Sequence, residues 1–222
     1  MYRASWALTG KGTQVPRPSL ELEREMWAAG CLRIAGLDEA GRGAWAGPVV
    51  AAAVVLPPGR SDLQTVLQAV NDSKQLAPRQ REALFPLICR TALAVGVGRA
   101  SARFIDAAGI VPATHRAMSM ALRNLGVSPD CLLIDALELP RTEHPQRGVI
   151  HGDALVLSIA AASIIAKVSR DRLMVALDKR LPGYGFATHK GYGTRAHRAA
   201  LERFGPCAAH RLSFAPLRSL CG

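Results

Sequence analysis

The stretch that decides the fold is LRIAGLDEAGRGAWAGPVVAAAVVL, residues 32–56. Its first part, Leu32 to Asp38, reads as a strand that ends on an acid, and its last part, Pro48 to Leu56, is a nearly unbroken Val/Ala run suited to a strand covered on both faces. Between them Glu39-Ala-Gly-Arg-Gly43 is a glycine-broken turn, so the two strands are expected to form a hairpin-like pair.

Downstream, Asn71 to Leu76 reads as a polar loop, and Pro78 suits the first turn of a helix running to about Arg90. Ala92 to Ala100 is expected to be a third strand, and Ile105 to Leu125 is split by Gly109 and Pro112 into a short helix and a longer one. Cys131 to Asp135 is a compact apolar strand that again ends on an acid, and Gly148 to His151 is a candidate for another. Ser158 to Leu181 is the longest helical segment; the small residues of its first half let a helix backbone lie close to a sheet, and Pro182-Gly183 ends it. A loop, a helix from about Arg195 to Phe204 and a basic tail follow. Upstream, Glu21 to Ala29 suits a short helix, preceded by an aperiodic tail over residues 1 to about 20. Strands interleaved with helices make an α/β domain, whose strand order the pattern alone leaves open.

A chain of 222 residues, 49% hydrophobic, buries one principal core. Residues 1–30 are grouped as an N-terminal tail and 31–222 as the domain, with about 182–222 as its C-terminal extension. A formal charge of +11 favours a polyanionic partner, because bound phosphates release counterions. From Lys167 to Gly222 there are eleven Lys or Arg against three acids, which makes nucleic acid the favoured partner over a merely solvated basic surface. Cys31, Cys89, Cys131, Cys207 and Cys221 are scattered, odd in number and without a C-x-x-C pair. They read as reduced thiols of a cytoplasmic protein, forming neither a disulfide framework nor a zinc site. No signal-peptide stretch opens the sequence, and its apolar runs are shorter than the ~20 residues of a membrane helix. No membrane association is expected.

Asp38 and Asp135 each follow an apolar strand, where a carboxylate costs desolvation energy unless a cation or donors compensate. Taken singly, such an acid is more often a turn or helix cap, and Asp153, shortly before the long helix, shows that ambiguity best. With adjacent Glu39, the set suggests an oxygen-only cluster suited to hard cations such as Mg²⁺ or Mn²⁺. Two such ions stabilise the attacking and leaving oxygens of an in-line phosphoryl displacement. Gly41-Arg42-Gly43 beside the acids lets the backbone approach a ligand closely, and it lacks the pattern of a P-loop.

Asp38-Glu-Ala-Gly-Arg-Gly43 followed by Ala46-Gly-Pro-Val-Val50 is similar to the opening motif of the ribonuclease HII family. Asn71-Asp-Ser-Lys-Gln-Leu76, Leu133-Ile-Asp135, His151-Gly-Asp153 leading into Ala161–Asp171, and His189-Lys-Gly-Tyr-Gly-Thr194 resemble its later motifs, and His210-Arg-Leu-Ser-Phe214 its ending. These matches run in family order from about residue 32 to 218. The resemblance implies a ribonuclease H-like mixed sheet flanked by helices, with a C-terminal helical extension. It implies cleavage of the RNA strand of RNA–DNA hybrids and of duplex DNA 5′ to embedded ribonucleotides, by a monomer using Mn²⁺ or Mg²⁺. By motif position, Asp38, Glu39, Asp135 and Asp153 match the metal-binding acids. Gly41, Arg42 and Gly43 match the segment that senses the ribose 2′-hydroxyl, Asn71, Ser73 and Lys74 match phosphate-contacting positions, and Tyr192 matches the tyrosine at the RNA/DNA junction.

Three positions depart from the family pattern. Ala44 and Trp45 stand where Pro and a smaller apolar residue are expected, and Ala136 replaces the glycine after the third acid. Two other classes stay open on the residues alone: a non-catalytic nucleic-acid clamp, and a ribonuclease H-like enzyme acting on DNA junctions. Ribonuclease HIII is disfavoured, because its extra N-terminal domain does not fit in some thirty residues.

Overall fold

In the computed structural model, which describes residues 17–140 and 142–218, the stretch 32–56 forms β1 (Ile34–Ala40) and β2 (Val49–Val55). They pair antiparallel from Ala35↔Val55 to Ala40↔Val50, as the hairpin reading expects. Glu39 and Ala40 belong to the strand, however, and the connection covers 41–48. Every residue of β2 is buried, as expected for a strand covered on both faces.

The other strands are β3 (Ala94–Ala100), β4 (Cys131–Asp135) and β5 (Gln146–Val149). The helices are α1 (Glu21–Ala28), α2 (Leu63–Val66), α3 (Pro78–Thr91), α4 (Ala102–Ala108), α5 (Ile110–Arg123), α6 (Gly152–Leu155), α7 (Leu157–Arg180), α8 (Phe186–His189), α9 (Arg195–Phe204) and α10 (Ala215–Arg218). The sheet order is β3-β2-β1-β4-β5, with β1, β4 and β5 parallel and β2 and β3 antiparallel to their neighbours. This is the mixed α/β sheet that the resemblance implied. The fifth strand lies slightly upstream of its expected span, because His151 takes a left-handed conformation (φ 56°) and starts α6.

One face of the sheet packs on α7 and α3, the other on α5. The small residues of α7 do what their size allows. Gly36 on β1 lies so close that an added Cβ would stand 2.4 Å from the Ser158 carbonyl carbon of the helix. Among the described residues, no helix is long and apolar enough to cross a membrane.

Two expectations need correction. Residues 17–30, grouped with the tail, pack onto the domain: Leu20 is buried in the core, and the buried Glu23 carboxylate accepts the Ser158 N–H at 2.8 Å, next to the start of α7. Residues 1–16 lie outside the described part. The second concerns the cysteines, since Cys31 and Cys131 form a disulfide. They are 100 residues apart in sequence, and β1 beside β4 brings them together, with Ile34 opposite Cys131. Sequence spacing carries no trace of that proximity. Cys89 and Cys207 are free, and Cys221 lies outside the described residues.

Candidate carboxylate and nucleic-acid site

Parallel pairing puts the ends of β1 and β4 side by side, so Asp38, Glu39 and Asp135 meet at one edge of the sheet. Asp153 arrives from the first turn of α6, where the Asp135 carboxylate accepts the Gly152 N–H at 2.8 Å and ties α6 to β4. The two strands bring in the acids, and the short helix closes the set.

Burial pushes the Asp38 carboxyl well above the usual carboxylate range, and the charges of Glu39 and Asp135 add to the effect. Hydrogen bonds from the Ser163 hydroxyl and from the Glu39 amide at 2.7 Å oppose it. Glu39 is raised by burial despite Arg42, whose guanidinium lies 3.3 Å away, and Asp135 is raised by burial and then by Asp153. Lys74 supplies the balancing cation: burial opposes its charge, but its 2.8 Å bond to Asp153, with Asp72 and Asp38 near, holds the ammonium above its ordinary value.

Two observations bear on a metal. Among the described residues the buried Glu39 Oε2 has no hydrogen-bond partner, and burial opposes the ionised form of Asp38 and Glu39, a penalty that a bound cation would relieve. Among the described residues, however, no three His, Cys, Asp or Glu side chains converge closely enough to hold an ion as they stand. Lys74, bonded to Asp153, and Arg42, bonded to Glu39, take up part of the charge an ion would neutralise. The chemistry of the donors suits a hard cation, although the side chains as placed do not form its ligand shell.

Gly41 begins the connection at φ 91°, a conformation favoured by glycine, and an added Cβ would lie 1.9 Å from Arg170 Nε. Arg42 is half-buried and Gly43 exposed. Trp45 packs where the 191–194 loop passes: its amide donates to the Gly191 carbonyl at 2.8 Å, and an added Cβ at Gly193 would meet its ring at 2.2 Å. This departure from the family pattern is thus accommodated by a glycine. Ala136 takes the left-handed φ of 50° that the glycine expected there would adopt freely.

Lys74 is exposed beside the acids, Asn71 is half-buried, and Ser73 turns inward, its hydroxyl 2.8 Å from that of Ser163. Tyr192 is 37% exposed, with the Arg170 guanidinium 5.3 Å from its ring centre. A groove of about 600 Å³ runs beside it between α3 and α7; Arg81 and Lys167 pair with Asp171 in its wall and Arg172 with Glu82, and Lys190 adds a further cation. The tyrosine sits at the mouth of a basic cleft.

Behind Tyr192 lies a histidine relay that the sequence reading missed. The Cys207 N–H donates to His210 Nδ1 at 2.9 Å, His210 Nε2 and His197 Nε2 are 3.1 Å apart, and His197 Nδ1 lies 3.0 Å from the Tyr192 carbonyl. Only one set of tautomers satisfies every link: His210 donates to His197, and His197 donates to Tyr192. Both rings are neutral, and burial lowers His197 to about 4 and His210 below its ordinary value.

A mixed sheet with a carboxylate cluster at the end of its central parallel pair, beside a glycine turn and a basic cleft, defines an α/β protein built for phosphodiester chemistry. The chain belongs to the ribonuclease HII family, whose model matches residues 35–217. It is 54% identical to the ribonuclease HII of Chloroflexus aggregans over 91% of this chain and 96% of that one. Among solved structures, it resembles the Archaeoglobus fulgidus RNase HII solved with PCNA (TM-score 0.70, 27% identity, 83% of this chain and 96% of that one). It also resembles the ribonuclease H2 of Pyrococcus horikoshii OT3 (TM-score 0.69, 26% identity, 85% and 96%).

Proposed function

We propose that the chain is an endoribonuclease acting on RNA–DNA hybrids and on duplex DNA with embedded ribonucleotides, cutting 5′ to the ribonucleotide and leaving 3′-hydroxyl and 5′-phosphate ends. The observation that carries this reading is the buried Asp38–Glu39 pair brought beside Asp135 at the sheet edge, in a chain of the ribonuclease HII family. Mg²⁺ or Mn²⁺ held by Asp38, Glu39, Asp135 and Asp153 would supply charge stabilisation to the attacking and leaving oxygens.

The chain's own residues bind and orient. Lys74 sits 2.8 Å from Asp153 and is placed to release it for a phosphate, which Asn71 and Ser73 of the same loop contact with it. Gly41, Arg42 and Gly43 present backbone to the sugar, where the 2′-hydroxyl distinguishes RNA from DNA. Tyr192 packs at the junction between RNA and DNA, against the deoxyribose, and the cleft beside it takes the duplex backbone. The protein acts as a monomer in the cytoplasm, with residues 182–222 as the C-terminal extension of the catalytic unit.

The test is a labelled duplex holding one ribonucleotide, incubated with Mg²⁺, Mn²⁺ or chelator. A single cut 5′ to the ribonucleotide that chelator abolishes supports the reading; cutting of an all-DNA control at an equal rate, or binding without cutting, refutes it.

A further inference from the structure

The acids provide no means of telling ribose from deoxyribose; that discrimination rests on the turn, and the turn is held from behind. Arg211 is fully buried and has no ion-pair partner among the described residues. Its guanidinium bonds only to carbonyls: Nη2 to Gly41 at 2.7 Å, Nη1 to Arg42 at 2.7 Å and Nε to Gly47 at 3.0 Å. Arg170 does the same for the far end of the connection, donating to Ala46 and Pro48 at 3.0 and 2.9 Å.

The consequence follows from peptide geometry. In a trans peptide the C=O and the next N–H point in opposite directions. Turning the Gly41 and Arg42 carbonyls inward onto Arg211 therefore turns the Arg42 and Gly43 N–H groups outward. Neither amide donates a hydrogen bond among the described residues, and nothing lies within 4 Å of where a Gly43 Cβ would stand. Two free donors are thus presented next to Asp38 and Glu39.

We infer that Arg211 is the positioning residue that sets ribose discrimination, by clamping the Gly41 and Arg42 carbonyls so that the Arg42 and Gly43 amides face the sugar. Arg211 touches no substrate. This deepens the ribonuclease reading above and rests on it. A lysine keeps the charge but loses the planar fork that reaches several carbonyls at once.

The test compares wild type with Arg211→Lys on a duplex holding one ribonucleotide and on an all-DNA duplex, with binding-competent molecules counted by titration with the all-DNA duplex. The variant is expected to lose about tenfold or more in kcat/KM on the ribonucleotide duplex, as a site loses when its hydroxyl partner is misplaced. Its Kd for all-DNA duplex stays within about twofold, since phosphate contacts are untouched. Unchanged kcat/KM per competent molecule overturns the inference, whereas a merely structural role lowers only the competent fraction.

Should the variant not fold, wild type in chelator decides by NMR. The Arg42 and Gly43 amide resonances should shift with the ribonucleotide duplex while the Arg211 Nε–H resonance stays in place. Motionless amides, or an Arg211 shift as large as theirs, overturn it. A wild type that binds and shifts in this way but cuts nothing refutes the nuclease reading and leaves the clamp standing.

Discussion

Two groups of buried charge bear on the same strand and turn, one lying on β1 and the other reaching the turn from the C-terminal segment, and they are satisfied to different degrees. Around Asp38 and Glu39, burial holds both carboxyls above their ordinary range, and Glu39 Oε2 has no hydrogen-bond partner among the described residues. Around Arg211, each guanidinium nitrogen finds a backbone carbonyl, although burial and nearby Arg170 hold its pKa down to about 9. Complete satisfaction fixes a shape, whereas incomplete satisfaction leaves free energy to be recovered when a ligand arrives. The first region is built to receive something and the second to hold something still.

The sharpest way to test that contrast is Asp38→Asn. It should cut turnover by about a thousandfold or more, because a hard-cation ligand is lost, while duplex binding changes little. The metal-free melting temperature should rise. The folded pKa of Asp38 is raised, so its ionised form destabilises the fold at neutral pH, and an amide removes that penalty. A variant that melts lower without metal, or retains near-normal turnover in Mg²⁺, breaks the contrast.

Gly41→Ala attacks the satisfied side. A Cβ at φ 91° standing 1.9 Å from Arg170 Nε should cost about 3 kcal/mol or more in urea unfolding, combining left-handed strain with overpacking. A loss below 1 kcal/mol would show that the clamp yields.

Acid should act on the histidine pair behind Tyr192. His197 falls from 6.5 to about 4 on folding, so the stability it contributes is fully present above pH 6.5 and is lost as pH falls toward 4. At about 1.4 kcal/mol per unit, this is on the order of 3 kcal/mol. Urea midpoints measured across that window should decline, and His197→Gln should flatten the decline. The smallest effect is expected from Ala136→Gly, which relieves a left-handed residue and should raise stability by at most about 1 kcal/mol in the same assay.

The strands and helices were largely legible because their apolar runs and stop signals are local: Pro78 opens α3, Pro182-Gly183 follows α7, and α9 spans the expected Arg195–Phe204. The acids were legible because they stand at the ends of apolar strands within recognisable motifs. What stayed hidden depends on pairing across the chain. The Cys31–Cys131 disulfide needs β1 beside β4, and the partnership of Lys74 with Asp153 spans 79 residues. Counting charge also misled in one respect. The basic C-terminal quarter read as surface for nucleic acid, yet Arg170 and Arg211 are wholly buried and spend their charge on carbonyls. Net charge does not reveal which side chains face water.

Arg211 reaches back 170 residues to Gly41. The turn is therefore synthesised long before the side chain that fixes it, and an emerging chain carries every acid of the cluster while the Gly41 and Arg42 carbonyls still wait for their guanidinium.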